Sequence, residues 1–366
     1  MKNFFYLLCI IFVFIINNFI CQTNIRTTEN HPNGTNKTVE HYQLINGIEM
    51  LVKTQSFAQN GNLIFEENYL NGKKHGVEKS FGTKTGILYQ EVPYFEGKKN
   101  GLEKGYNYNG LFLWDRNWKD NLKHGPAKSY HENGTIQSEV NYVNDLAQGI
   151  AKHYYENGKI KSEVNYVDDL EQGIEKKYYE NGKLKSKTNY LNGVIQGIMK
   201  TYRENGKIES EATFDNDEKN GLEKKYYENG MIESEVFWIN NDIKNGLEKT
   251  YYENGRLKSE AIYNNDEKNG LEKTYCYSGE LAEEFNYVDG LKQGVQRKYF
   301  KNGNVEIECD VENDELHGLT KFYYKNGKLG RERPFQNGKA EGVEKLYNKK
   351  GKVIKEIRWK NGETVE

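Results

Sequence analysis

The side chains that invite chemistry in this sequence are seven histidines, four cysteines and several runs of acids. His31, His41, His75, His124, His131, His153 and His317 could ligate a metal or act as general bases, and Cys9, Cys21, Cys276 and Cys309 could act as thiolates. Their spacing supports neither role. There is no C-x-x-C, no neighbouring pair of histidines, no nucleophile elbow and no phosphate-cradling glycine loop. His75, His124 and His317 each precede a recurrent glycine, which reads as a turn position. The acidic stretches "NYVNDL", "NYVDDL" and "FDNDEKN" lack the spaced oxygen ligands and terminal bidentate Glu of a calcium loop. Asn and Asp have a backbone reason of their own to occupy tight turns. The expectation is a protein with no catalytic residue, no metal and no cofactor, and not an enzyme.

A second set of residues recurs too regularly to ignore. With position 0 set at Gly173, the same frame returns at Gly125, Gly149, Gly197, Gly221, Gly246, Gly270, Gly294, Gly318 and Gly342, a period of about 24 residues. Position 5 is Tyr in all ten repeats, among them Tyr154, Tyr178, Tyr202, Tyr226 and Tyr251. Position 3 is always Lys or Arg, and position 14 is Glu except for Lys187. Position 6 varies most, running through His131, Tyr155, Arg203, Tyr227, Tyr252 and Cys276 among others, as a recognition surface would. Two weaker repeats begin at Gly76 and Gly101, and the pairs Asn33-Gly34 and Asn60-Gly61 mark two degenerate ones before them.

The elements that must position these residues are hairpins. Each repeat holds two short runs rich in Tyr, Val, Ile and Thr around an E-N-G-K turn, and a polar stretch returns the chain to the next glycine. Two registers are open. A two-residue Asn-Gly turn sets Lys152 opposite Glu163 but sends Tyr154 and Ile160 to opposite faces. A three-residue Glu-Asn-Gly loop with Gly158 left-handed sets Tyr154 opposite Ile160 and Ile150 opposite Val164, with Tyr166 on the same side. Cross-strand charge pairs contribute about 0.2–1 kcal/mol, against about 1.5–3 kcal/mol for covering a large apolar side chain. That difference favours the second register, even though it opposes Glu223 to Glu235. The fold class expected is all-β, an elongated single-layer antiparallel meander of repeated hairpins, with adjacent hairpins paired edge to edge. In that meander Cys276 and Cys309 lie three strand spacings apart, too far for a disulfide.

The units "GIEKKYYENGKLKS" and "GLEKTYYENGRLKSEAIY" resemble MORN repeats, in the 24-residue variant of bacterial proteins of the YwqK antitoxin class. The resemblance covers about Gly76 to Trp359. It implies a sheet that serves as a protein or membrane interaction surface and has no catalytic residues. It also carries an alternative function, an antitoxin or immunity protein that sequesters a toxin.

Composition agrees with a thin sheet. Apolar residues make up 36% of 366, while 28 are Tyr, 36 Gly and four Pro, too few aliphatics for a thick core and too many aromatics for a disordered chain. The 52 Lys and Arg alternate with 54 Asp and Glu, which leaves no basic stripe for nucleic acid. Residues 1–21 open with Lys2 and an apolar run from Phe4 to Ile16, too short for a span and suited to a signal peptide. An uncleaved anchor and lipid modification of Cys21 are the alternatives, although "NFIC" matches a lipobox poorly. The organisation expected is a signal peptide at 1–21, an irregular cap with degenerate repeats at 22–75, and about twelve repeats at 76–366. The function expected is an exported scaffold, secreted, periplasmic or in the cell envelope, that binds an unidentified protein partner. Its tyrosine-rich face would carry Tyr154, Tyr178, Tyr202, Tyr226, Tyr251 and Trp238. Membrane association is the weaker alternative, with Trp114 and Trp118 as its only pointers.

Overall fold

A computed structural model describes residues 23–240 and 243–365. The signal segment read at 1–21 lies outside the described residues. All described regular structure is β-strand, every pairing is antiparallel, and sequence neighbours pair with each other. The chain divides into two compact units, Met1–Glu171 and Gln172–Glu366.

In the first unit the hairpins are Thr23–Asn30 with Asn36–Ile45, Ile48–Phe57 with Leu63–Leu70, Gly76–Phe81 with Leu88–Phe95, and Gly101–Tyr106 with Phe112–Lys119. Leu122–Tyr130 with Ile136–Val143 and Leu146–Tyr154 with Ile160–Val167 complete it. Within the stretch 22–75, read as an irregular cap with degenerate repeats, residues 23–70 form four strands, and the turns at Gly34 and Gly61 have the same left-handed glycine as the later repeats. The second unit repeats the pattern from Leu184–Leu191 through Gly342–Tyr347 with Val353–Lys360.

Each repeat turns twice. At the E-N-G-K turn, Gly158 takes φ 79°, its N–H donates to Tyr155 O at 2.9 Å, and Tyr155 N–H donates to Lys159 O at 2.9 Å. This is the three-residue loop with a left-handed glycine. The polar return is itself a two-residue turn with both residues left-handed, such as Asn144 at φ 50° and Asp145 at φ 71°. Asn and Asp tolerate that region through their short side chains, which accounts for the acidic returns without calcium. Among the described residues no group of three or more His, Cys, Asp or Glu is arranged to hold a metal.

The register corrects the sequence reading in one respect. Tyr154 pairs with Ile160 as the bulged turn requires, but a β-bulge follows at once. The ladder continues as His153 with Ser162, Lys152 with Glu163, Ala151 with Val164 and Ile150 with Asn165. The extra residue in the second strand reverses its parity, so both of the rival pairings occur in one hairpin. Consequently Tyr154, Ile160, Lys152 and Glu163 share one face, while Ala151, Val164 and Tyr166 share the other. Glu223 pairs with Val236, and Lys224 with Glu235, so the opposed glutamates never arise.

The residues before position 0 are also not in turns. His317 lies between Glu315–Leu316 and Gly318–Tyr323, and its N–H donates to Asp310 O at 2.9 Å, which places it at an interruption of a strand. Glycine is needed one residue later for two reasons. Gly270 takes φ 123°, and a Cβ there would stand 3.3 Å from Ile262 Cδ1 of the preceding strand.

Candidate functional site

Both faces carry a repeating side-chain network. On the tyrosine face, position 5 donates its hydroxyl to the position 14 carboxylate of the preceding repeat: Tyr154 to Glu139 at 2.5 Å, Tyr226 to Glu211 at 3.1 Å, Tyr251 to Glu235 at 2.7 Å. The same carboxylates meet position 3 cations on the neighbouring strands. Lys224 stands 3.0 Å from Glu235, and Glu308 lies between Arg297 at 3.0 Å and Lys321 at 3.1 Å. Burial together with the hydroxyl-to-carboxylate bond pushes Tyr154, Tyr226 and Tyr251 up to about 12. The Tyr251 hydroxyl, followed by the Lys224 ammonium, holds Glu235 below its ordinary value despite burial.

The five predicted tyrosines all occupy position 5 of this face and all are half-buried. The Tyr202 hydroxyl makes no hydrogen bond among the described residues. The acceptor position beside it holds Lys187, which itself has no ion pair among them. Trp238 is not with the tyrosines. It pairs with Gly221 and lies on the opposite face, because the bulge sends position 17 there. The expectation of one united aromatic face therefore fails.

The opposite face is built around acids that sequence reasoning did not single out. Position 2 is Glu in many repeats, and Glu103 and Glu344 are only 1% and 2% exposed. Trp118 Nε1–H donates to Glu103 at 2.6 Å and Gln90 Nε2 at 2.8 Å, while Arg116 Nε stands 2.8 Å away but off the hydrogen-bonding direction. Glu344 receives Trp359 Nε1–H at 2.6 Å and Arg333 Nε at 3.1 Å. Trp238 serves Glu223 in the same way at 2.9 Å, with Lys219 lying 5.3 Å from the centre of its ring. Trp114 and Trp118, the pointers to membrane contact, are engaged by Arg116 and Lys99 at 4.2 and 4.6 Å. The Trp114 ring also lies so close over Gly105 that a Cβ there would meet it at 2.1 Å.

At position 6, expected to recognise a partner, several side chains also link repeats. Tyr227 donates its hydroxyl to Tyr251 O at 2.7 Å, Tyr252 to Tyr275 O at 2.8 Å, and Arg203 to Tyr226 O at 2.7 Å. Chemically different donors, Tyr and Arg, satisfy the same carbonyl, although Phe300 at this position cannot. Cys276 and Cys309 are free thiols, and burial pushes that of Cys309 up.

Besides the gap at Lys187, the tyrosine face exposes apolar side chains. Position 1 and its cross-strand partner at position 16 lie two residues from the Lys-Glu row. Leu222 pairs with Phe237 and Leu247 with Ile262, and these four are 40–45% exposed. Phe237 lies beside Gly246 and Ile262 beside Gly270, where the next strand has no side chain, and in the flanking repeats position 16 is polar, Thr213 and Asn286. Two signals in the sequence could have revealed these exposed side chains: the aliphatic residue after each position 0 glycine, and the parity change that one bulge imposes.

The sequence matches the family described as MORN repeat variant at residues 123–144, 147–168, 171–192, 195–216, 219–240, 244–265, 292–313, 316–337 and 340–361. No curated protein sequence matches it. Among solved structures, the TcdB2–TccC3–Cdc42 complex aligns at 13% identity over 92% of this chain and 20% of that chain, with a TM-score of 0.17. The Tc holotoxin pore of Photorhabdus luminescens aligns at 12% over 91% and 20%, with a TM-score of 0.18. The chain spans about a fifth of the length of those chains.

Proposed function

The chain belongs to the MORN repeat variant family, and we propose on that premise that it is an exported, non-enzymatic scaffold that binds a protein partner through its tyrosine face. One observation carries the reading: the exposed strip Leu222, Phe237, Leu247 and Ile262, on a face whose charged and phenolic groups are largely paired with one another. Paired polar groups hold the surface in shape and ask little of a partner, whereas exposed aliphatic and aromatic carbon gains by being covered. The tyrosines brace the sheet, and the strip beside them makes the contact. Export rests on the apolar run from Phe4 to Ile16.

The test is a double variant, Phe237→Ser with Leu247→Ser, in the full chain. Both side chains are about half exposed, so the circular dichroism spectrum and thermal midpoint should change little. Quantitative affinity capture from host extract should lose the partner. The affinity for that partner should fall about thirtyfold or more, the effect of losing about 2 kcal/mol at an anchor. A folded double variant that retains the partner at full affinity sinks the reading.

A further inference from the structure

In the second unit the carboxylate row of the tyrosine face has one break. Elsewhere position 14 is a Glu that pairs with cations on the neighbouring strands, receives a tyrosine hydroxyl, or both. Glu308 has Arg297 and Lys321 within 3.1 Å, and Glu332 receives the Tyr347 hydroxyl at 2.7 Å with Lys345 at 3.6 Å. At the break, Lys187 pairs across one strand with Lys176 and across the other with Lys200, placing three lysines on adjacent strands of one face. Lys200 reaches Glu211 at 3.3 Å on its far side, while Lys187 has no ion pair among the described residues. Like charges directly opposed destabilise a sheet. The same strands carry Ile174 and Ile198 two residues before the lysines, on the same face and 55% and 52% exposed.

We propose that this break is a docking site for an acidic side chain of a partner protein, whose carboxylate takes the place that Glu fills in the other repeats. Lys187 and Lys200 supply the charge and the Tyr202 hydroxyl donates to the carboxylate, as Tyr226 does to Glu211 and Tyr251 to Glu235. The isoleucines set the partner's second requirement. Residues two apart on a strand are separated by about 7 Å and point the same way. An extended segment with an aliphatic residue two places from an Asp or Glu therefore meets isoleucine and lysine together. Such a segment can lie along the strands of this face, its carboxylate over Lys187 and its aliphatic carbon over Ile174 or Ile198. The proposal rests on the tyrosine face being the contact surface and adds the chemistry of what it contacts.

The test uses the full chain and two fluorescein-labelled peptides, one repeating Leu-Ser-Glu-Ser and the other Leu-Ser-Gln-Ser, read by fluorescence anisotropy. The acidic peptide should bind at least tenfold more tightly than its neutral counterpart. Lys187→Glu should abolish that preference while raising the thermal midpoint, since it fills the gap with the chain's own carboxylate. Lys258→Glu, an equal charge change elsewhere on the surface, should retain the preference. Equal binding of the two peptides by the unaltered chain overturns the proposal, as does a preference that survives Lys187→Glu. Lys187-dependent binding to phosphatidylserine vesicles without binding to the acidic peptide also overturns it, because the ligand would then be a membrane. If both peptides bind equally and Phe237→Ser with Leu247→Ser weakens both, this inference fails while the scaffold reading stands.

Discussion

Glu103→Ala should destabilise the first unit by about 3–5 kcal/mol, the range for removing one member of a buried ionic cluster. The side chain is 1% exposed and accepts hydrogen bonds from Trp118 and Gln90, with Arg116 beside it. Deleting it strands an indole N–H and leaves a guanidinium next to Lys99 with no counter-charge between them, and the small side chain left behind fills none of the space. Glu103→Gln, which keeps an acceptor and the volume but loses the charge, should cost distinctly less. Glu132→Ala, at an exposed turn, should stay within about 0.5 kcal/mol of the unaltered chain. Because repeat arrays unfold in parts, the measurement is amide hydrogen exchange along residues 101–119 as well as the urea midpoint. Glu103→Ala with exchange unchanged there would show that the buried carboxylate does not hold these strands.

That glutamate also shows where the sequence stopped being legible. The period, the glycine frame and the left-handed turn at Gly158 follow from local chemistry, because Asn-Gly and an isolated positive-φ glycine mean the same thing in any fold. Register does not follow from local chemistry alone. The comparison of a Lys152–Glu163 pair with a Tyr154–Ile160 pair treats them as rivals, whereas one bulged residue lets the hairpin keep both. The same bulge sends Trp238 away from Tyr226 and Tyr251, so one unrecognised residue per repeat misplaces an entire aromatic row. The burial of Glu103 and Glu344 is further still from sequence, because an isolated Glu reads as exposed until the Trp and Arg that enclose it are brought beside it by strands 15 residues away. The variability of position 6 has a structural source where the residue is Tyr, Arg or His. Tyr, Arg and His all donate to a backbone carbonyl of the next repeat, so tolerance there reflects a simple demand.

The second unit should lose stability between about pH 10 and pH 12. Tyr226, Tyr251, Tyr275 and Tyr299 are each pushed up to about 12, first by burial and then by donating their hydroxyls to Glu211, Glu235, Glu260 and Glu284. Tyr263 and Tyr287 are raised further, again by burial and by the carboxylates of Glu248 and Glu272. Because the folded value lies above the unfolded value of about 10, the folded chain holds the proton more tightly. The stability this provides is fully present below about pH 10 and is lost as pH rises through the folded values. Each phenol sets a slope of at most about 1.4 kcal/mol per pH unit in that window, and solvent contact at these half-buried rings reduces it. Several act together in one unit, so its stability should fall across that window. The measurement is a pH titration that follows tyrosinate absorbance and the β-sheet dichroism signal side by side. The sheet signal should weaken as the phenols hydrogen-bonded to carboxylates ionise above pH 10. Tyr226→Phe with Tyr251→Phe gives up two hydrogen bonds at neutral pH but removes two titrating groups, so its stability should be lower at pH 8 and fall less steeply from pH 10 to 12. If the phenols of the intact sheet all ionise near pH 10 without loss of structure, the hydroxyl-to-carboxylate ladder is not what holds the repeats in register.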